Sequence, residues 1–329
     1  MHELVSIIIP AYNAEHWIGD TIKSALSQTW PQKEIIIVDD GSTDNTLAVA
    51  KAFESRIVKV VAQSNKGPSA ARNEGLRFAQ GSYIQWLDAD DLLAPDKISC
   101  QLHSADRGQD SRVLLASSFG TFYFRLERVK VRPTALWQDL SPTDWLLNKF
   151  NGNVWMSLDG WLVSRKLTEQ AGPWDERLFQ DIDGEYSCRL VAASEKVQFV
   201  REGMSYYRIG NTGSVSNSTS DRDYESLILS TSLCMQHLLA LENSKRTKNA
   251  CLNLLQTLPS CLNPENDELL IKINDLASEL GGSLRPPPVN WKYYPIEKLF
   301  GWEGKNKVIK NWRKVKNLMR RNLDKLLYI

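Results

Sequence analysis

Residues 4–13 read LVSIIIPAYN: an apolar, largely β-branched run from Leu4 to Ile9, then Pro10, then a polar tip at Tyr12 and Asn13. Consecutive apolar positions over so short a stretch are the pattern of a strand covered on both faces, as in a parallel sheet. After this strand, Ala14 to Gln28 reads as an amphipathic helix, and Glu34 to Val38 repeats the buried-strand pattern until Asp39-Asp40-Gly41-Ser42 stops it. Thr43 to Phe53 reads as a second helix, with Thr43 or Asp44 able to cap it. Arg56 to Ala62 is a third strand, Ser69 to Ala79 a helix after the Gly67-Pro68 break, and Ser82 to Leu87 a fourth strand ending in Asp88-Ala89-Asp90-Asp91. Strands alternating with helices predict a Rossmann-like, doubly wound, mostly parallel α/β sheet with right-handed crossovers.

Polar residues stand where each strand ends: Tyr12 and Asn13, Asp39 and Asp40, Asn65 and Lys66, Asp88 and Asp90. Open α/β sheets bind ligands at the carboxyl ends of their strands, so one edge collects four sets of polar groups. Further on, Leu92 to Ala105 reads as a helix, Val113 to Val131 as two strand-like runs, Val154 to Ser164 as apolar and aromatic text, and Lys166 to Ala171 as a short helix. Asp183 to Ala193 is another helix, Val197 to Tyr207 a strand, and Gly210 to Ser220 a loop rich in Gly, Ser and Asn. Beyond Asp221 the text is helical to about Leu280, then breaks at Gly281-Gly282 and Pro286-Pro287-Pro288.

A chain of 329 residues exceeds one average domain, so one large α/β domain with an appendage, or two domains, is expected. With 42% hydrophobic and 24% charged residues it has an ordinary globular composition, which excludes disorder throughout and a collagen-like repeat. No apolar run approaches bilayer-spanning length and residues 1–20 lack the layout of a signal peptide, so a cytoplasmic protein is expected. Five cysteines without close pairing give no disulfide framework or zinc pattern, in keeping with a reducing compartment. The net charge of +1 conceals an asymmetry: residues 305–329 hold nine Lys/Arg against the single acid Asp324, leaving 31 basic and 38 acidic residues before them. Val308, Ile309, Trp312, Val315, Leu318, Met319, Leu323, Leu326 and Leu327 recur there at helical spacing. Such a basic amphipathic helix suits an anionic membrane, at the inner face of which the protein would be peripheral; packing on the acidic body is the alternative. An acidic body without interleaved aromatics argues against nucleic acid.

Asp88-Ala89-Asp90 offers two carboxylates one residue apart, able to face one Mg²⁺ or Mn²⁺ and so neutralise a diphosphate. The same residues can also cap the following helix. Asp39-Asp40-Gly41-Ser42 is equally double: an acid that accepts hydrogen bonds from a base or ribose, or an Asx turn. Neither G-x-G-x-x-G nor a Walker A sequence follows the first strand, which argues against a dehydrogenase or P-loop enzyme. A nucleotide would then be held by carboxylates, a metal and an aromatic platform such as Tyr12. Paired acids with a metal also suit a nucleotidyltransferase, but Pro10-Ala11-Tyr12-Asn13 is not the glycine- and lysine-rich loop of that class.

SIIIPAYNAEHWIGDTIKSALSQTW, EIIIVDDGSTDNT, NKGPSAARNEGLRFAQGSYIQWLDADD and GPWDERLFQDIDGEYSCRL, in that order, resemble the family 2 glycosyltransferases over roughly residues 4–215. The resemblance implies a GT-A fold, the nucleotide-diphospho-sugar transferase form of the doubly wound sheet, here with a C-terminal helical extension. The expected division is 1–220 for the transferase domain (1–100 nucleotide-binding, 101–220 acceptor-binding), 221–304 for the helical extension and 305–329 for the basic helix. It also implies a metal-dependent, inverting transfer from a nucleotide-diphosphate sugar, with UDP the favoured nucleotide, to a glycan or lipid-linked saccharide. By position in the motifs, Pro10, Ala11 and Tyr12 would line the base, Asp39 would bond to it, Asp40 would support the turn, and Arg72 would lie near the nucleotide. Asp90 would ligate Mn²⁺ or Mg²⁺, with Asp88 on ribose or a metal-bound water. The family's base is an acid six residues before an Arg, which selects Asp183 before Arg189; Ile182 replaces the usual preceding Glu, and Asp181 is the runner-up. Tyr207-Arg208 resembles a loop that closes over the donor, making Arg208 a candidate diphosphate contact. Trp145, Trp155, Trp161 and Trp174 either shape an acceptor groove or fill the core. The rival from another class is a non-catalytic nucleotide- or sugar-binding relative.

Overall fold

The structure is a computed structural model and describes residues 3–105, 112–210, 221–260, 267–285, 308, 312, 315, 316 and 318–327. Most of the loop expected at Gly210 to Ser220, the proline break at 286–288 and Cys261 lie outside the described residues.

The first half winds as β1 (Val5–Ala11), α1 (Ile18–Leu26), β2 (Lys33–Asp39), α2 (Thr46–Lys51), β3 (Val58–Ala62), α3 (Pro68–Phe78) and β4 (Tyr83–Trp86). β5 (Leu92–Leu93), α4 (Lys97–Ser104), β6 (Val113–Phe122), β7 (Lys130–Val131), α5 (Pro142–Gly152), β8 (Val163–Ser164), α6 (Arg165–Ala171), α7 (Ile182–Ala193) and β9 (Lys196–Arg208) follow. The extension comprises α8 (Asp221–Leu241), α9 (Lys245–Leu255) and α10 (Asp267–Glu279). One sheet has the order β3-β2-β1-β4-β8, parallel except for β8; the second has the order β5-β9-β6-β7 and pairs β6 with β9 in parallel.

Both faces of β1 are covered, for the reason its text suggests. Alternate side chains point to opposite faces. Val5, Ile7 and Ile9 join Ile35, Ile37 and α1 in one core, while Ile8 joins Ile36, Val38, Ile84 and Trp86 in the other. The second core runs without a break through Trp145, Trp161 and Trp174 to Ile228, Leu238, Ala250 and Ile273, so the extension shares a core with the sheet.

Three expected elements differ. The first helix begins at Ile18, because the Ala14 carbonyl accepts the N–H groups of Trp17 and Ile18 in a preceding turn. The second begins at Thr46 instead of Thr43: Asn13 Oδ1 takes the Thr43 N–H, Glu15 Oε2 takes that of Asn45, and Asp44 Oδ1 takes that of Thr46. Residues 43–46 are thus tied to the first loop before any helical turn can form. The expected helix from Leu92 is replaced at its start by a strand, Leu92 pairing with Tyr206 and Leu93 with Ser205. Pro95 disfavours helix at the residue before it, and α4 starts only at Lys97.

Trp145 is fully buried against Trp161, with ring centroids 5.6 Å apart. Trp145→Ala should therefore cost about 3–5 kcal/mol, read as a lower denaturant midpoint at unchanged slope; a loss below about 1 kcal/mol would contradict this packing.

Candidate active site

Chain order reverses between β1 and β4: β2 and β3 lie to one side of β1, β4 to the other. A doubly wound sheet opens a crevice at such a point, at the carboxyl ends of the strands. Ala11 is in register with Asp39, and Ile8 with Trp86. The tips of β2 and β4 therefore flank β1 two strand spacings apart, about 10 Å.

At the tip of β1, Tyr12 stands exposed, Ala11 is buried and Pro10 half-buried. Asn13 takes a left-handed φ of 49° and donates its N–H to Ser42 Oγ at 3.0 Å, joining the first two loops. Asp39 is buried; its Oδ2 accepts the Ser42 N–H at 3.2 Å, while Oδ1 is enclosed without a hydrogen-bond partner. A buried acceptor in that condition can take a donor from outside the chain, a ligand or a water. Asp40 is spent internally, accepting Gln63 Nε2 at 2.7 Å and the N–H groups of Lys66 and Gly67 at 2.9 and 2.8 Å. Gly41 has φ +72° and approaches Asn65 so closely that a Cβ would lie 2.7 Å from its nitrogen, so only glycine fits this turn.

Arg72, on the first turns of α3, joins the remaining acids. Its Nη2 lies 2.7 Å from Asp88 Oδ1 and 3.2 Å from Asp183 Oδ1. The first contact is a hydrogen bond; the second is a charge contact without hydrogen-bond alignment. The guanidinium rests on the Trp174 ring at 4.4 Å, and Trp174 stacks on Tyr186 at 3.8 Å. Burial works against the charge on Arg72, but the carboxylates of Asp183 and Asp88 outweigh it and hold the group above its usual range.

Asp183, in the first turn of α7, is 46% exposed as a side chain although its Oδ1 is enclosed. Its enclosed surroundings push the carboxyl up to about 6, against the pull of Arg72 and with the repulsion of Asp88 and Asp181. Asp181 stands at the α7 N-terminus with φ 51°, its Oδ2 accepting Ser230 Oγ at 2.9 Å. Its carboxylate lies over Gly184, where any Cβ would collide with it. Of the two acids, Asp183 is the one in contact with Arg72. Arg189 does not enter the cluster: it grips both oxygens of Glu185 and donates to the carbonyls of Ala171 and Pro173, bracing the turn that carries Trp174.

Arg208 sits between the rings of Trp17 and Phe122, at 4.3 and 4.4 Å, and donates to the carbonyls of Asp90 and Tyr123. Its backbone N–H reaches Asp91 Oδ1 at 2.6 Å. In this arrangement it props the acidic turn from behind. Asp91 and Asp159 are fully buried beneath that turn. Burial first, and then the charge of Asp88, push Asp159 up to about 7; burial, reinforced by Asp159, raises Asp91 well above the carboxylate range. Lys97, also fully buried, donates to Gln85 and to the Trp161 carbonyl. These groups were not singled out from sequence. The signal for Asp159 was a lone acid inside an apolar, aromatic stretch.

Of the four tryptophans considered for an acceptor groove, Trp145, Trp161 and Trp174 are core. Trp155 is 44% exposed and packs on Phe119 and Tyr207, at 4.8 and 5.2 Å. Burial, then the charges of Asp91, Asp88 and Asp90, raise the Tyr207 hydroxyl.

Among the described residues no group of three or more His, Cys, Asp or Glu forms a complete metal cage. Asp88 and Asp90 suit the other common mode, in which one or two carboxylates hold Mg²⁺ or Mn²⁺ and substrate phosphates complete the shell. Their all-oxygen donor set fits those ions.

The pattern described as Glycosyl transferase family 2 matches residues 6–156. Glycosyltransferase GlyG of Streptococcus pneumoniae is 30% identical over 221 residues, 63% of this chain and 71% of that protein. The Escherichia coli enzyme WfaP, a UDP-Glc:alpha-D-GlcNAc-diphosphoundecaprenol beta-1,3-glucosyltransferase, is 50% identical over 102 residues, 31% of this chain and 41% of that protein. An uncharacterized glycosyltransferase of Haemophilus influenzae is 44% identical over 103 residues, and there too the match spans 41% of the relative. Among solved structures, Staphylococcus aureus TarS 1-349 in complex with UDP-GlcNAc superimposes with a TM-score of 0.60 at 17% identity, covering 94% of this chain and 92% of that one, a likeness of fold. Three motifs at strand ends, a fourth leading into α7, the GT-A architecture and these relatives agree: the chain belongs to glycosyltransferase family 2.

Proposed function

We propose that this chain moves a sugar from a nucleotide-diphosphate sugar, a UDP-sugar, to a hydroxyl of a glycan or lipid-linked saccharide, with inversion. The work belongs to cell-surface glycan synthesis, at an anionic membrane surface met through residues 305–329. The observation that carries the reading is Arg72 held between Asp88 and Asp183, which sets a proton-accepting acid across one guanidinium from the acidic turn of β4. The names of the relatives lend support: WfaP is a UDP-Glc enzyme acting on a diphosphoundecaprenol-linked sugar, and TarS was solved with UDP-GlcNAc.

In this reading Tyr12, with Pro10 and Ala11, lines the base, and Asp39 Oδ1 accepts its N–H. Asp40 secures the turn. Asp90 and Asp88 would hold Mn²⁺ or Mg²⁺, which when bound offsets negative charge on the departing diphosphate. Arg208 acts on the diphosphate through the turn it props. An acceptor hydroxyl is a poor nucleophile at neutral pH, so Asp183 takes its proton as attack proceeds. The new bond forms at the anomeric carbon while the bond to phosphate breaks, and UDP leaves with the electron pair. One base and no covalent intermediate give a single displacement. Trp155 and Tyr207 offer the acceptor sugar an aromatic face.

Metal-dependent release of UDP from a panel of UDP-sugars tests the reading, since a binding-only relative would hold nucleotide without releasing it. Asp183→Asn should lower turnover about 10²–10⁴-fold while leaving UDP affinity within about twofold; full turnover in that variant would refute the base assignment. The base works as the carboxylate, so the rate should rise with pH through the Asp183 midpoint of about 6. Arg72→Gln removes the neighbouring positive charge and should move that limb to higher pH; an unmoved limb would separate it from Asp183. Trp155→Ala should raise the acceptor KM with little change in donor affinity, checked by initial rates at fixed UDP-sugar.

A further inference from the structure

Residues 318–326 form a helix whose buried side is polar and whose outer side is apolar. Met319, Leu323 and Leu326, spaced to share one face, are 68%, 58% and 72% exposed. Val308, Trp312 and Val315, also helical, continue that spacing and are exposed as well. Asp324 lies about 140–160° round the helix from Met319 and Leu326, and it is the one residue of 318–327 that is buried. Its Oδ2 accepts the N–H groups of Phe124 and Arg125 at 3.0 and 3.2 Å, and its Oδ1 pairs with Arg125 Nε at 2.9 Å. Arg321, one turn back on the same side, lies against the Phe124 ring and Gly210.

An acid in the last turn of a helix opposes the helix dipole. The single acid among nine basic residues is therefore placed for what it grips, not for the helix it belongs to. What it grips leads to the candidate site: Phe124 packs on Trp17 at 5.5 Å, Arg208 covers Trp17, and Arg208 Nε bonds to the Asp90 carbonyl. Lys316, Arg320 and Lys325 flank the outer apolar face, and with Asp324 turned inward no side-chain carboxylate faces out among residues 318–327.

We infer that Asp324 clamps the C-terminal helix to the 124–125 loop with its apolar face outward, and that this face seats on an anionic bilayer so that the donor site's rim rests at the lipid surface. The inference rests on the membrane-surface part of the proposed function and adds the residue and the orientation that couple the surface to the site. A basic, outward apolar helix matches an anionic interface in both properties: apolar side chains enter the headgroup boundary while lysines and arginines meet lipid phosphate.

The test uses the full chain with vesicles of phosphatidylcholine alone or containing about one third phosphatidylglycerol. Wild type should bind the anionic vesicles at least about tenfold more tightly, and the double variant Met319→Glu with Leu323→Glu should lose about tenfold or more of that binding. The double variant should still release UDP from a UDP-sugar at the wild-type rate. Asp324→Asn, which keeps the apolar face, should bind vesicles within about twofold of wild type, yet its Phe124 and Arg125 amides should exchange hydrogen faster. Equal vesicle binding by wild type and the double variant would overturn the inference. So would a wild-type dimer that the double variant breaks, because a second copy would then cover the face. So would unchanged amide exchange in Asp324→Asn. Vesicle binding with no UDP release by wild type would support the surface assignment while counting against the transfer reading, so the two fail separately.

Discussion

One buried guanidinium holds the site together. Arg72 meets Asp88 from the end of β4 and Asp183 from the start of α7, two elements nearly a hundred residues apart in the chain. A buried cation is tolerable only when paired, and a cation between two close acids relieves their mutual repulsion. Each group is therefore the condition for the others. The rest of the site serves this arrangement: Gly67-Pro68 starts α3, Trp174 stacks beneath the guanidinium, and Arg189 braces the turn that carries Trp174. Asp40 helps from the other side by fixing the backbone of Lys66 and Gly67, just ahead of the helix that bears Arg72.

The same cluster gives two carboxyls different surroundings. Asp88 is tied to Arg72 by a direct hydrogen bond, whereas Asp183 touches the same cation without one and is enclosed on one oxygen. Its carboxyl, pushed up to about 6 by burial, lies in the range that the proposed general-base role needs. Beneath, burial raises the carboxyls of Asp159 and Asp91 above the usual range, because charge is costly there.

The sheet was legible because its strands are short continuous runs of Val and Ile whose neighbours cover both faces, and their ends are marked by Pro10, Asp39 and Asp88. The order of acids along one edge follows from that alternation with no side-chain detail. What the text hid was tertiary. Leu92 and Leu93 read as helix because local pattern does not reveal that Tyr206 and Ser205 wait to pair with them. Thr43 looked like a cap because nothing local shows that Asn13 takes its N–H. Trp155 was indistinguishable from Trp145, Trp161 and Trp174 by composition, and only packing separates the half-exposed ring from the three core ones. Asp324 registered as a lone acid in a basic tail, but its partner lies two hundred positions away.

In the proposed function the strand-end acids grip a nucleoside diphosphate with Asp183 facing them across Arg72. A crystal structure grown with UDP and Mn²⁺ tests it most directly, since anomalous scattering locates the ion independently of the protein. The expected result is Mn²⁺ on Asp90 or Asp88 and bridged to the diphosphate, the uracil against Tyr12 with its N–H on Asp39 Oδ1, and the Asp183 carboxylate opening onto the space beyond the β-phosphate. Nucleotide bound away from this edge, or Mn²⁺ held by neither acid, would contradict it.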